Sequence, residues 1–394
     1  MRIEAVKLRK LAGTLETEGL FWEDRLLWPV DIYPEYRDRM PWGAAQKDDR
    51  HLSVEACFVD ILTDEGVIGR AGPFDESIAQ FIKKRLAPII IDQDPIAHEK
   101  LWDQMHRIMV HGRQGEPMQA ISAVDCALWD LKGRWLGQPI YKLIGGPTRE
   151  IMPCYASMLG FNVTDMGRVA ERASAYQNMG FKAQKWFFRF GPMSGAEGLK
   201  QNVALVETLR ETLGADDDIM LDCWQAMDHD YVVKLTERIE EFSPRWLEEP
   251  AMPDRIETYA RIRAATTIPI SGAEHEYTRW GFKRFLDADA LDIYQPDIYW
   301  AGGLSEVLKI AAMVTADDRV IIPHGHSTAI NTHFSVSQSP IHTPYQEYLV
   351  KWNAIHQLFL KQPMRPVNGS LSLPTAAGAS MELDPARIEK EEEL

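Results

Sequence analysis

Five short apolar runs in the second half of the chain each end on a side chain able to bind a metal ion or carry a proton: Asp222, Glu248, Glu274, Asp297 and His324. They follow one another at intervals of 26, 26, 23 and 27 residues. One strand, one helix and two loops of a (β/α) barrel occupy about that length, because a barrel of ~250 residues holds eight such units. Side chains at equivalent strand ends share one mouth. Taken singly, an acid after a strand is more often a helix N-cap or a solvated loop residue than a metal ligand; their common register makes them a set. Asp222, Glu248 and Glu274 come from successive runs and offer the hard oxygen donors that magnesium prefers, with coordination positions left open. Without a cation they would repel one another.

Asp297 and His324 close the next two runs, Tyr294-Gln295-Pro296-Asp297 and Ile321-Ile322-Pro323-His324. A carboxylate there can accept a hydrogen bond from one imidazole nitrogen and leave the other free as a base. Lys185 ends an earlier run, where its ammonium adds to the charge of a cation and can hold a substrate carboxylate. His275, directly after Glu274, and Glu347, in the last run, are expected to contact substrate hydroxyls. His326 is a further candidate, as is Arg189, which could equally be solvated. Cys223 and Glu249, one residue beyond two of the acids, should point away from the mouth by the strand period of two.

The elements that must position these groups follow from apolar patterning. From residue 151 onward, short apolar runs at 151–157, 183–188, 219–224, 246–249, 268–273, 291–295, 320–323 and 348–350 alternate with helical patterns, which predicts a parallel α/β barrel. Ahead of it, residues 1–10 alternate as a strand, and a second alternation from His51 turns at Thr63-Asp64-Glu65-Gly66 into a third strand. Helical periods follow at about 75–88, 95–110 and 118–135, the last stopped by Gly137 and Pro139. Strands first and helices afterwards describe a small α+β unit. Residues 20–50 carry Phe21, Trp22, Trp28, Tyr33, Tyr36 and Trp42 without any period, and a loop of that length is expected to have a function. The acidic end, 389–393, and the small-residue stretch before it read as a solvated terminus and a surface excursion.

Composition narrows the partners. A chain of 394 residues with 45% hydrophobic content can bury a large core. Its net charge of -15 opposes nucleic acid and anionic membrane surfaces alike. Cys57, Cys126, Cys154 and Cys223 form no CxxC pair and read as free thiols, with no zinc site. No signal-peptide core or membrane-length apolar stretch is visible, so a cytoplasmic protein acting on a small molecule is expected.

Longer strings carry a resemblance. Ile121-Ser122-Ala123-Val124-Asp125-Cys126-Ala127-Leu128-Trp129-Asp130-Leu131-Lys132-Gly133, Gly137-Gln138-Pro139, Leu143-Ile144-Gly145-Gly146, Trp246-Leu247-Glu248-Glu249-Pro250, Gln295-Pro296-Asp297, Gly302-Gly303-Leu304 and Pro323-His324-Gly325 resemble the enolase superfamily, in its mandelate racemase branch. The resemblance implies a modified TIM barrel, (β/α)7β, over 136–364. It also implies an α+β capping domain over 1–135 that is completed by about 365–394. It further implies Mg2+ on Asp222, Glu248 and Glu274, a cap loop within 20–50 closing over substrate, and a homo-oligomer.

Racemases of that branch carry a Lys-x-Lys pair on the second barrel strand; here Lys185 matches the first lysine and Phe187 stands at the second. One base favours elimination over racemisation. With His275 after the third acid and Gly191-Pro192 after the second strand, the chain is most similar to the rhamnonate dehydratase group of acid-sugar dehydratases. The chemistry so implied is removal of the proton beside the carboxylate of a sugar acid by His324, oriented by Asp297, then loss of the 3-hydroxyl to give a 2-keto-3-deoxy acid. Epimerases and cycloisomerases share the scaffold, and a relative that binds metal without turnover is the reading from outside enzymology.

Overall fold

The N-terminal alternation becomes an antiparallel sheet in the computed structural model, which describes residues 1–39 and 46–394. Strands β1 (Ile3–Glu16), β2 (Gln46–Asp48), β3 (His51–Thr63) and β4 (Ile68–Phe74) pair with β3 at the centre, flanked by β1, β2 and β4. The buried face, with Ile3, Leu8, Leu11 and Ile61 almost fully excluded from solvent, is covered by helices. Chief among these is the helix Glu116–Leu136, which lies so close to β4 that a Cβ on Gly69 would come within 2.2 Å of the Ala127 carbonyl oxygen. It stops, as its sequence predicts, at Gly137, whose φ of 65° is the left-handed cap glycine tolerates.

The eight apolar runs become eight parallel strands: β5 (Ile151–Ser157), β6 (Ala183–Phe187), β7 (Asp218–Asp222), β8 (Trp246–Glu248), β9 (Ile270–Gly272), β10 (Ile293–Tyr294), β11 (Val320–Ile321) and β12 (Gln346–Leu349). Their ladder runs β12-β5-β6-β7-β8-β9-β10-β11. Helices Met166–Asn178, Gly195–Leu213, His229–Ile239, Ile256–Ala265, Thr278–Asp287, Gly303–Ala316 and Thr328–Ser335 fill the seven intervals. The seam between β11 and β12 is bridged by the Ile321 N–H to the His342 carbonyl, at 2.8 Å. This is a modified (β/α)7β barrel beneath an α+β cap. Ala183, Met220 and Trp246 stand two residues before Lys185, Asp222 and Glu248 on the same strand faces. With Tyr155, Ile293 and Ile322 they form one buried cluster, the apolar floor under the site.

Three expectations need correction. The last barrel strand begins at Gln346, two residues before the apolar run, because Val350 already opens the helix Val350–His356. Residues 374–379 do not form a surface excursion: Gly378 and Ala379 dock on the helix Glu116–Leu136, and the Ala379 N–H reaches Asp130 at 2.7 Å. The acidic end is solvated as expected, but it is a strand. β13 (Ser370–Ser372) pairs with β5, and β14 (Lys390–Glu393) pairs antiparallel with β1, its Glu391 held by Arg9 at 2.7 and 2.9 Å. The four cysteines are buried and free. Among the described residues no helix is long and apolar enough to cross a membrane.

Candidate active site

Asp222 and Glu248 are register partners on β7 and β8, so their side chains leave neighbouring strands at one level. Lys185, on β6 and fully buried, places Nζ 3.2 Å from Asp222, 2.9 Å from Glu347 and in direct contact with Glu248. The second Glu248 oxygen accepts from Trp246 Nε1 at 2.9 Å and from Gln295 Nε2 at 2.7 Å. Asp222 Oδ1 accepts the Trp224 N–H at 2.8 Å, and Glu347 Oε2 accepts the Gly325 N–H at the same distance. Glu274 follows β9 one residue beyond Ala273, whose φ of 73° turns the chain inward.

The electrostatics describe a volume short of positive charge. Six buried carboxylates, Asp222, Glu248, Glu249, Glu274, Asp297 and Glu347, meet three basic groups, Lys185, His275 and His324. Burial, reinforced by Asp222 and Glu347 and opposed by Lys185, pushes Glu248 up to about 8. Burial, with Glu249 adding to it, raises Glu274 to about 7. Burial and the charge of Glu274 raise Asp222 to about 6. Lys185 is raised as well, but by its neighbours: burial opposes its charge, yet Glu248, Glu347 and Asp222 hold it well above its ordinary value. Asp222, Glu248 and Glu274 are therefore all-oxygen donors whose negative charge exceeds that of the Lys185 and His324 cations beside them, which fits a hard divalent cation.

The dyad is formed. His324 Nδ1 lies 2.7 Å from Asp297 Oδ2, while Asp297 Oδ1 accepts the Tyr299 N–H at 2.7 Å and fixes the carboxylate plane. The other imidazole nitrogen, Nε2, faces Glu274 at 3.7 Å. Burial works against a charged ring, but Glu274 and Asp297 raise His324 to about 10. The Trp300 ring packs on both His324 and His275, with centroids 5.0 and 5.3 Å away.

His275 and Glu249 add a pair that period-two reasoning did not foresee. Glu249 sits just past the strand at a φ of 41°, and its carboxylate lies 2.8 Å from His275 Nδ1. Glu249, Glu274 and His275 also bring donor atoms within 4.8 Å of one another, a second geometry in which an ion could sit. Burial resists the charge on His275, but Glu249 and Glu274 raise it to about 9, so the ring is a cation whose Nδ1 is already engaged. A hard cation is better matched by Asp222, Glu248 and Glu274.

The remaining candidates occupy other positions. Glu347 lies on the floor beside Lys185 and is fully buried. Arg189 does not face the carboxylates: it donates to the Arg37 carbonyl at 2.8 Å and so tethers the cap segment. His326 approaches the Pro73 carbonyl at 3.1 Å and stacks between Tyr299 and His356, lining a cavity of about 240 Å³ between cap and barrel. Trp42 lies outside the described residues. Residues 20–39 do cover the mouth, where Trp28 stacks on Trp224 at 5.4 Å and the Leu27 N–H reaches the Phe188 carbonyl at 2.7 Å. Sequence reasoning passed over Trp224, Trp300 and the Gln295 amide as site residues; their place just beyond barrel strands was the available signal.

Residues 168–387 match the enolase C-terminal domain-like family, and residues 41–145 match the N-terminal domain of the mandelate racemase / muconate lactonizing enzyme family. An L-rhamnonate dehydratase of Saccharopolyspora erythraea is 33% identical over 385 residues, covering 94% of this chain and 92% of that protein. The crystal structure of L-rhamnonate dehydratase from Gibberella zeae superposes with a TM-score of 0.83 at 30% identity, over 98% of this chain and 94% of the other. A structure of rhamnonate dehydratase from the same fungus complexed with Mg gives 0.80 at 28%, over 98% and 95%. The 3,6-anhydro-D-galactonate cycloisomerase of Zobellia galactanivorans gives 0.78 at 29%, over 99% and 100%.

Proposed function

The chain belongs to the mandelate racemase / muconate lactonizing enzyme family of the enolase superfamily, and from that premise we propose that it is a magnesium-dependent dehydratase of a sugar acid. The observation that carries this reading is a single formed base, His324 on Asp297 at 2.7 Å, with buried Phe187 at the place where racemases of the branch keep a second. Phe187 is the register partner of Asp222, so an aromatic ring without an exchangeable proton stands beside the carboxylates.

Asp222, Glu248 and Glu274 would hold the ion. Bound there, magnesium supplies Lewis-acid stabilisation of the negative charge that develops on a substrate carboxylate. Lys185 adds a fixed positive charge at the floor, and the aromatic rings of Trp28, Trp224 and Trp300 stand as walls of the mouth. Against burial, the charge of Glu274 chiefly keeps the His324 ring protonated; Glu274 engaged with an ion no longer does so, and with the ring fixed through Nδ1 on Asp297, Nε2 is then free to take the proton from carbon 2 of a 2,3-dihydroxy acid. The electron pair moves into the bond between carbons 2 and 3 as the 3-hydroxyl departs. It leaves as water with a proton from His324 or from the His275 cation. The enol that remains ketonises to a 2-keto-3-deoxy acid.

The test is a panel of aldonic and aldaric acids incubated with Mg2+ and scored for 2-keto acid, with L-rhamnonate, other 6-deoxyhexonates, hexonates and pentonates first. Run in deuterated water, a dehydratase accumulates the ketone, whereas an epimerase returns labelled acid. Replacing His324 by Ala is expected to lower turnover by at least ~10²- to 10⁴-fold while sparing Mg2+ affinity. Near-normal turnover in His324→Ala would remove this base from the mechanism.

A further inference from the structure

Asp297 does not stand on its strand unaided. Between it and the helix Gly303–Ala316 lies a short closed loop in which the Ala301 N–H bonds the Asp297 carbonyl at 2.8 Å and the Gly303 N–H bonds the Ile298 carbonyl at 3.1 Å. These bonds make the loop one rigid piece. Its near end aims the Asp297 carboxylate and carries Trp300; its far end is gripped by the cap.

The grip comes from the helix Glu116–Leu136. Fully buried Asp125 accepts the Ser305 N–H at 2.9 Å on one oxygen and the Ser305 hydroxyl at 2.6 Å on the other. Ser122 Oγ accepts the Gly302 N–H at 2.9 Å, and Trp129 Nε1 donates to Ser305 Oγ at 2.9 Å. Gly303, at a φ of 81°, permits the approach: a Cβ there would lie 2.5 Å from Asp125 Oδ2. A buried carboxylate that satisfies two donors of another domain layer restrains the loop more than a surface contact does, because losing either bond leaves a polar group unpaired. The same loop meets the cap again where the Tyr299 hydroxyl accepts the Gly72 N–H at 3.2 Å.

We infer that Asp125, with Ser122, is a positioning residue for proton abstraction: the cap helix sets the aim of the Asp297–His324 pair through the 297–305 loop. This rests on His324 being the base, as proposed above. Asp125 touches no reacting atom, and its effect is on geometry, where a displacement of about 1 Å costs on the order of 10²-fold in rate.

The experiment compares the parent with Asp125→Asn, Ser122→Ala, Ser305→Ala and Ser305→Thr, with His324→Ala as control. The expected result is a kcat about 10- to 100-fold lower in Asp125→Asn and Ser305→Ala with KM nearly unchanged, rescue in Ser305→Thr, and a displaced acidic limb of the pH profile. In the metal-free protein, the His324 Nδ1 proton resonance that reports its bond to Asp297 should shift or broaden in the same variants. Should Asp125→Asn fail to fold, the serine variants decide. Folded variants with parental kcat, pH profile and His324 resonance would overturn the inference while leaving the dehydratase reading intact. Unimpaired turnover in His324→Ala would instead bring down the reading on which it rests.

Discussion

At the scale of single residues, the site is governed by how a few hydrogen bonds divide the negative charge. Gln295 and Trp246 both donate to one Glu248 oxygen, which holds that carboxylate in place while its other oxygen meets Lys185. Outer partners of this kind commonly tune metal affinity by about 10- to 100-fold. Gln295→Leu should therefore weaken Mg2+ binding by about that factor in a calorimetric titration, yet recover most turnover at saturating Mg2+. Burial raises Asp222, Glu274 and Glu248 to about 6, 7 and 8, so protons should compete with an ion held by these oxygens. The apparent Mg2+ affinity should rise steadily as the pH goes from 6 to 8, with proton release on binding. A pH-independent affinity would show that these carboxylates do not hold the ion.

At the scale of elements, the cap segment 20–39 lacks period but is not loosely held. Buried Arg25 binds Asp31 through two contacts of 2.7 and 2.6 Å and donates to the Tyr36 and Arg37 carbonyls at 2.8 and 2.7 Å. Arg25→Ala leaves buried Asp31 without its counter-charge and with the Trp28 N–H as its remaining donor, a loss of roughly 3–5 kcal/mol concentrated in one segment. The expected outcome is a raised KM and faster proteolytic nicking within 20–39, while the barrel melts nearly as before. These contacts were invisible in the sequence because they join irregular backbone to itself, and irregular backbone has no period to read. The helix Glu116–Leu136 and the strand Ile151–Ser157 were legible because burial of one stripe or one run is written into local residue order. β10 and β11 were found but overdrawn: the apolar runs mark burial, whereas only Ile293–Tyr294 and Val320–Ile321 join the ladder. β14 was missed because Lys390-Glu391-Glu392-Glu393 has no apolar face, and its pairing depends on Arg9 and Lys7 far away in the chain.

At the scale of the whole molecule, the register of strand ends brought the site together. It set Asp222, Glu248, Glu274, Asp297 and His324 at one mouth without any contact being known, while Lys185 beside Glu347 and His275 beside Glu249 emerged only with the strands assembled. Global stability should carry a separate acid signature. Burial holds His98 and His333 near 3, so both are neutral in the folded chain and gain a proton on unfolding below about 6.5. Each then costs up to about 1.4 kcal/mol per pH unit as the pH falls from 6.5 towards 3. Thermal melts of the parent and of His98→Gln should differ in slope over that range, the variant falling less steeply; parallel slopes would contradict a neutral buried His98. The central claim is tested most directly by anomalous diffraction from crystals soaked in Mn2+ as a magnesium surrogate. The account predicts one peak enclosed by Asp222, Glu248 and Glu274 within reach of His324 Nε2, and a peak seated instead on Glu249 and His275, or none at the strand ends, would contradict it.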